Sequence, residues 1–243
     1  MTDTNELSGK VVLVTGASRG IGYAAGLEAA RRGAHVIAVA RTVGGLEDLD
    51  DAVQALGGST TLVPLDLRDG EAIDRLGAAI FERWGHLDGL IANAGQLGVL
   101  SPVGHIKPDE FDKVMAINVT ANYRLLRSLD LLLRQSEAGR AVFVSSAAAR
   151  SPRPFWGLYA ASKAALDALV KSYSGEVAQT QVRANVFIPA PFARRCAPRP
   201  SGENPETLPT PADVAPALVD MLSPTLTEQG RLYNIDSKSF EEI

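Results

Sequence analysis

The chain repeats one pattern along its length: a short β-branched run, a turn, and a longer stretch of helix-forming residues. The runs that predict strands are Val11–Thr15, His35–Ala40, Thr60–Leu65, Gly89–Ala92, Ala141–Ser145, Arg183–Ile188 and Arg231–Ile235. The stretches that predict helices are Gly20–Arg32, Gly44–Leu56, Gly70–Trp84, Pro108–Arg134, Phe155–Gln179 and Pro211–Leu222. Apolar strands that alternate with helices are typical of a parallel sheet covered on both faces. We therefore predict one α/β domain over residues 1–243, a doubly wound, seven-stranded, mostly parallel sheet flanked by helices on both faces.

The charge balance and cysteine content exclude several classes of protein. The 24 Lys and Arg against 28 Asp and Glu give a net charge of −4, which offers no broad basic field to a nucleic acid. Cys196 is the one cysteine of the sequence, so no intramolecular disulfide can form. His35, His86 and His105 lack metal-ligand spacing, and we predict no metal site. No leader-like N-terminus or apolar run of about 18 residues occurs, so we expect a cytoplasmic protein without membrane contact.

A glycine-rich turn, Thr15–Gly22, follows the first predicted strand and opens the first predicted helix. In that position glycines let the backbone approach a pyrophosphate, and the helix presents free N–H groups and its positive dipole end. The candidate cofactor contacts are Gly16, Ser18, Arg19, Gly20, Ile21 and Gly22. A tight strand-to-helix turn without a ligand would account for the glycines equally well.

The end of the second predicted strand bears on which dinucleotide would bind. NAD-binding folds of this kind place an acid there against the ribose 2′-hydroxyl, whereas this chain has Arg41 followed by Thr42. Arg19 and Arg41 could hold a 2′-phosphate between two guanidinium groups. The residues therefore favour NADP(H) over NAD(H), although both arginines could also be ordinary surface residues.

Tyr159 and Lys163 lie four residues apart on a predicted helix, so both project from one face. A free phenol has a pKa of about 10, and a nearby ammonium favours the phenolate. This pair suits proton exchange with an oxygen atom near neutral pH. Taken alone, Tyr-x-x-x-Lys would more often be a half-buried tyrosine beside a solvent-facing lysine.

The glycine spacing Gly-x-x-x-Gly-x-Gly, together with Tyr-x-x-x-Lys, resembles the short-chain dehydrogenase/reductase family over nearly the whole chain. The resemblance implies a Rossmann-type fold and a catalytic set of Asn118, Ser146, Tyr159 and Lys163. It adds further cofactor contacts at Asp66, Leu67, Asn93, Ala94, Gly95, Tyr159, Lys163 and Pro189.

The chemistry implied by this resemblance is hydride transfer between a nicotinamide and a carbonyl or alcohol carbon. Ser146 and Tyr159 would hold the reacting oxygen, with Tyr159 exchanging its proton. Lys163 would also bind the nicotinamide ribose, and Asn118 would hold a water of the proton relay. The expected partner is therefore a small carbonyl or alcohol compound. An alternative is a catalytically impaired NADP(H)-binding regulator of the same fold; a dehydratase or epimerase is less favoured.

The sequence departs from the family around a proline-rich segment, residues 189–211, interpreted as the substrate loop. Ala190 and Arg194 stand where relatives have glycine and threonine, so the sequence departs from the family pattern at the nicotinamide end of the predicted site. Arginines near this loop could serve an acidic substrate or be solvated charges; they are Arg150, Arg153, Arg194, Arg195 and Arg199. Relatives form dimers through helices equivalent to 108–134 and 155–179, so we expect a homodimer or homotetramer.

Overall fold

The computed structural model describes residues 5–189 and 209–243. Its strands are β1 (Val11–Thr15), β2 (His35–Ala40), β3 (Ser59–Pro64), β4 (Gly89–Ala92), β5 (Arg140–Val144), β6 (Arg183–Ile188), β7 (Arg231–Asn234) and β8 (Ser239–Glu242). Its helices are α1 (Gly20–Arg31), α2 (Val43–Ala55), α3 (Gly70–Trp84), α4 (Pro108–Met115), α5 (Ala121–Gln135), α6 (Gly157–Glu176) and α7 (Pro211–Asp220).

The strands form one sheet in the order β3-β2-β1-β4-β5-β6-β7-β8, and all neighbours except β7 and β8 run parallel. From β1 the chain adds β2 and β3 on one side, and it then returns to add β4 and the later strands on the other side of β1. In such sheets a crevice opens at the carboxyl ends of the strands at this point, and ligands bind there. This topology confirms the predicted doubly wound α/β fold of Rossmann type.

Alternate side chains of the strands enter two separate hydrophobic cores. Leu13 and Ile37 pack on one face with α3, α5 and α6, whereas Val12 and Val36 pack on the other with α1, α2 and α7. Because a strand presents successive side chains to opposite faces, both sets must be apolar. The helices on both faces confirm the second part of the fold prediction.

The prediction of seven strands is wrong, because the described chain forms eight. After β7 the chain turns at Lys238, which has a φ of 50°, and β8 returns antiparallel to β7. Phe240 on β8 packs edge-on against Tyr233 on β7, with ring centroids 5.1 Å apart. The segment has weak strand propensity by itself, and its pairing partner stabilises it.

The long helix predicted over Pro108–Arg134 contains a π-helical turn, Ala116–Thr120, between α4 and α5. This wider turn adds a residue to the helical repeat and carries the fully buried Asn118. The helix predicted from Phe155 begins two residues later, at Gly157, because Phe155 adopts a φ of 72°. In the described part of the chain, no helix is both long and apolar enough to cross a membrane.

Candidate active site

The turn between β1 and α1 depends on glycine at its predicted positions. Gly16 and Gly20 have φ values of 69° and 62°, a region that side chains with a Cβ rarely adopt. A Cβ on Gly22 would collide with the Gly16 carbonyl oxygen, and one on Gly16 would lie 2.9 Å from Asn93 Nδ2. The glycines therefore allow the backbone to fold closely upon itself at the carboxyl end of β1.

The N-terminus of α1 has the features of an anion-binding site. Arg19 is the N-cap residue, but no side chain caps the helix and no acidic residue lies in its first turn. The positive end of the helix dipole therefore faces the crevice without compensation by a carboxylate. Ile21 is buried behind this turn, while Arg19 and Gly20 are exposed and Ser18 is half-buried. These features fit the pyrophosphate of a dinucleotide.

Thr15, which sequence reasoning did not select, fixes the end of β4 beside the glycine turn. Its buried hydroxyl oxygen accepts hydrogen bonds from the main-chain N–H groups of Asn93 and Ala94, each 3.0 Å long. Asn93 Nδ2 donates in return to the Thr15 carbonyl at 3.0 Å. A polar residue that ends an apolar strand just before the glycines is the signal that could have identified it.

The predicted adenine contacts lie after β3. Leu67 is buried, and Asp66 is half-buried with both carboxylate oxygens bound by the Arg68 guanidinium. The hydrogen bond from the Arg68 side chain lowers the Asp66 pKa most, and the Arg41 charge adds a smaller effect. Arg41 therefore lies close enough to act on Asp66, and Arg68 is a neighbouring cation that sequence reasoning missed.

Tyr159 and Lys163 are both buried on α6, with Lys163 Nζ 6.0 Å from the centre of the Tyr159 ring. Lys163 Nζ donates a 2.7 Å hydrogen bond to the carbonyl of Val144 at the end of β5. A Cβ built on the exposed Gly95 would lie 3.4 Å from Lys163 Nζ and 3.5 Å from Asn118 Oδ1. The structure thus brings the residues after β4, the end of β5 and the α6 lysine together.

Asn118 connects three elements through its side chain. Its Oδ1 accepts from Gln96 N at 2.8 Å, and its Nδ2 donates to the Gln96 carbonyl at 2.9 Å and to Ser162 Oγ at 2.8 Å. Ser162 Oγ donates to the Tyr159 carbonyl at 2.8 Å. Gln96 and Ser162 were not selected from the sequence, because neither residue type at these positions carries a distinctive pattern.

The two serines at the end of β5 have different environments. Ser146 is half-buried, and its Oγ accepts a 3.3 Å hydrogen bond from Ala148 N. Ser145 is buried at 2% exposure. The adjacent side chains point to opposite sides of the chain, so Ser146 is the one directed to the accessible side.

The remaining predicted positions are only partly described. Pro189 follows β6 and is half-buried, whereas Ala190 and Arg194 lie outside the described residues, as does most of the predicted substrate loop. Arg150 is exposed and pairs with Glu241 of β8 at 3.4 Å, so this arginine is engaged at the sheet edge. Within residues 5–189 and 209–243, no group of three His, Cys, Asp or Glu residues could hold a metal ion.

Comparison with known proteins gives one consistent family. A family model described as short chain dehydrogenase matches residues 10–199. The Escherichia coli protein named uncharacterized oxidoreductase YciK is 37% identical over 216 residues, which cover 86% of this chain and 84% of that protein.

Among the similar solved structures are two that contain a nicotinamide cofactor. One, described as a short chain dehydrogenase from Shigella flexneri complexed with NADP, is 34% identical, with a TM-score of 0.89 over 95% of this chain and 98% of that one. Another, from Escherichia coli and complexed with NADPH, is 33% identical, with a TM-score of 0.87 over 95% and 98%. With the fold, the glycine turn and these matches in agreement, the chain belongs to the short-chain dehydrogenase family of oxidoreductases.

Proposed function

We propose that this protein transfers hydride between NADP(H) and a small carbonyl or secondary alcohol compound. The observation that carries the proposal is the arrangement around Lys163, which shares a helix face with Tyr159 and lies beside Gly95 and the Val144 carbonyl. A nicotinamide cofactor, when bound, would supply the hydride for carbonyl reduction or accept it in alcohol oxidation. The residues of this chain supply binding, orientation and the proton.

The cofactor would lie across the crevice between β1 and β4. The uncompensated N-terminus of α1 would bind the pyrophosphate, and Leu67 with Asp66 would border the adenine. Arg19 and Arg41 are both exposed and follow the neighbouring strands β1 and β2, which supports a role for both in binding a 2′-phosphate. Arg68 lies close by but is already paired with the Asp66 carboxylate, so it adds no net positive charge. The charges of Arg19 and Arg41 support a preference for NADP(H).

At the other end, Ser146 and Tyr159 would hold the substrate oxygen, and Tyr159 would donate or accept its proton. The ammonium of Lys163 would favour the phenolate and bind the ribose hydroxyls. The Asn118 side chain connects the loop after β4 to α6 through hydrogen bonds with Gln96 and Ser162. The main-chain carbonyl of Asn118 accepts from Asn122 Nδ2 at 2.8 Å, and Asn118 would hold a water of the proton relay.

The test of the reaction is NADPH oxidation with a panel of ketones, aldehydes and quinones. We expect turnover with at least one class by the wild-type protein, and at least about a hundredfold loss in Tyr159→Phe. NADPH affinity, followed by its fluorescence, should remain within about threefold because the phenyl ring is retained. Tyr123→Phe is the control, since Tyr123 is exposed on α5. Retained turnover in Tyr159→Phe contradicts the assignment, and NADPH binding without any turnover favours a regulatory protein.

The cofactor preference is tested separately with Arg41→Ala. We expect the ratio of NADPH to NADH affinity to fall at least tenfold, because one guanidinium opposite the 2′-phosphate is lost. Affinity for NADH itself should change little. An unchanged ratio would show that Arg41 does not read the phosphate.

A further inference from the structure

Asp167 is a buried carboxylic acid next to the proposed active site that the mechanism above does not use. It is 7% exposed and follows Lys163 by four residues on α6, so the two side chains leave the same face of the helix one turn apart. An acid in such surroundings needs a compensating partner, because burial of an unpaired charge is costly.

The surroundings of Asp167 connect it to the end of β5. Neither Ser145 Oγ nor Asp167 Oδ1 forms a hydrogen bond of normal geometry with a described residue, although both atoms are buried. The Ser145 hydroxyl is nevertheless close enough to stabilise the carboxylate and to lower its pKa. Ser145 lies between Val144, whose carbonyl binds Lys163 Nζ, and Ser146. Asp167 therefore lies behind the same strand end that holds the lysine and the proposed substrate-binding serine.

Charges from two elements act on the Asp167 carboxylate. Lys163 on α6 and Arg150, which follows the turn after β5, both favour its ionised form. Lys171, a turn further along α6, donates to the Gly230 carbonyl instead, and the π-helical turn presents the uncharged Asn118. Burial outweighs the two cations and raises the Asp167 pKa to about 6. The carboxyl group thus changes charge within the range in which an enzyme of this family would be assayed.

We propose that Asp167 is a positioning residue whose negative charge opposes that of Lys163 and thereby sets the pH range of proton transfer at Tyr159. This inference rests on the proposed function. When Asp167 is ionised, it offsets part of the field that Lys163 exerts on the phenol. When Asp167 is neutral, the full field acts and the phenolate is favoured.

The experiment compares the pH dependence of kcat/KM for alcohol oxidation in wild type and Asp167→Asn between pH 5.5 and 9.5. Loss of the negative charge should move the rising limb to lower pH by roughly 0.5 to 1 unit. Asp130→Asn is the control: Asp130 on α5 accepts from Tyr173 Oη at 2.8 Å, so its loss affects packing between α5 and α6 and should leave the profile in place. A purely structural role for Asp167 would change the thermal stability and leave the two profiles superimposed, which overturns the proposal.

Ser145→Ala provides a second variant that keeps the carboxyl group. Removal of the hydroxyl raises the share of protonated Asp167 near pH 7, so the profile should move in the same direction by a smaller amount. A profile that does not move, or that moves to higher pH, counts against the inference.

A binding measurement separates failure of this inference from failure of the proposed reaction. By NADPH fluorescence, Asp167→Asn should bind the anionic cofactor about threefold more tightly than wild type at pH 8, and equally at pH 5. If no substrate is turned over, the proposed reaction fails while this comparison still tests Asp167. An affinity ratio that is constant with pH would overturn the role of Asp167.

Discussion

Replacement of Asp167 by asparagine should stabilise the protein at alkaline pH and progressively less on acidification. Burial raises the pKa of this carboxyl group from 3.8 to about 6, so the folded protein binds the proton more tightly than the unfolded chain does. Stability is therefore gained as the pH falls below 6 and lost as the pH rises through it. At about 1.4 kcal/mol for each pKa unit of difference between the folded and unfolded protein, the ionised group costs about 3 kcal/mol at pH 8 and about half of that at pH 5.

Urea unfolding followed by tryptophan fluorescence measures this difference. The gap in unfolding free energy between Asp167→Asn and wild type should shrink by about 1.5 kcal/mol from pH 8 to pH 5. The matching gap in melting temperature at pH 8 is roughly 6 to 12 °C for a chain of this size.

The control is Asp213, a carboxyl group whose pKa is shifted in the opposite direction. Hydrogen bonds from Thr210 hold the Asp213 pKa below its usual value. Stability from that carboxylate is present above its unfolded pKa and is lost as the pH falls through the folded one. Asp213→Asn should therefore be less stable than wild type at pH 8. If the gap for Asp167→Asn does not change with pH, the carboxyl group does not titrate as the structure indicates.

Three further predictions concern other parts of the structure. A Cβ on Gly45 would lie 2.5 Å from the Ser18 carbonyl oxygen, so Gly45→Ala should weaken NADPH binding about tenfold in a fluorescence titration. Gly44→Ala is the control, because a Cβ on Gly44 meets no atom within 4 Å. Equal affinities of the two variants would contradict contact between α2 and the glycine turn. Thr15→Val leaves two main-chain N–H groups without their acceptor and should cost about 2 to 4 kcal/mol in urea unfolding, and Thr15→Ser should restore most of it. Leu131 is 73% exposed on α5, so Leu131→Glu should lower the mass measured by light scattering if this helix forms the expected dimer; an unchanged mass would remove α5 from the interface.

The sequence analysis did not predict β8, and the reason is physical. Ser239–Glu242 has two acidic residues and one aromatic residue, and a strand of this kind depends on its partner for stability. The π-helical turn around Asn118 was missed for a similar reason, because nothing in its sequence, Ala-Ile-Asn-Val-Thr, distinguishes it from an ordinary α-helical turn. Contacts with Gln96 and Ser162 from other elements accompany the wider turn. The periodicity of the sequence does not predict these contacts between distant residues.

By itself, the sequence determined the features that depend on residues close together along the chain. The alternation of strands and helices, the glycine turn and the four-residue spacing of Tyr159 and Lys163 are local, since backbone sterics and helix geometry act over a few residues. The tertiary structure alone decided which distant groups meet: Thr15 with the end of β4, Arg68 with Asp66, and Asp167 with the end of β5. Burial and electrostatic fields depend on every element that surrounds a group, so the changed pKa of Asp167 follows from the packed fold and not from its place in the sequence.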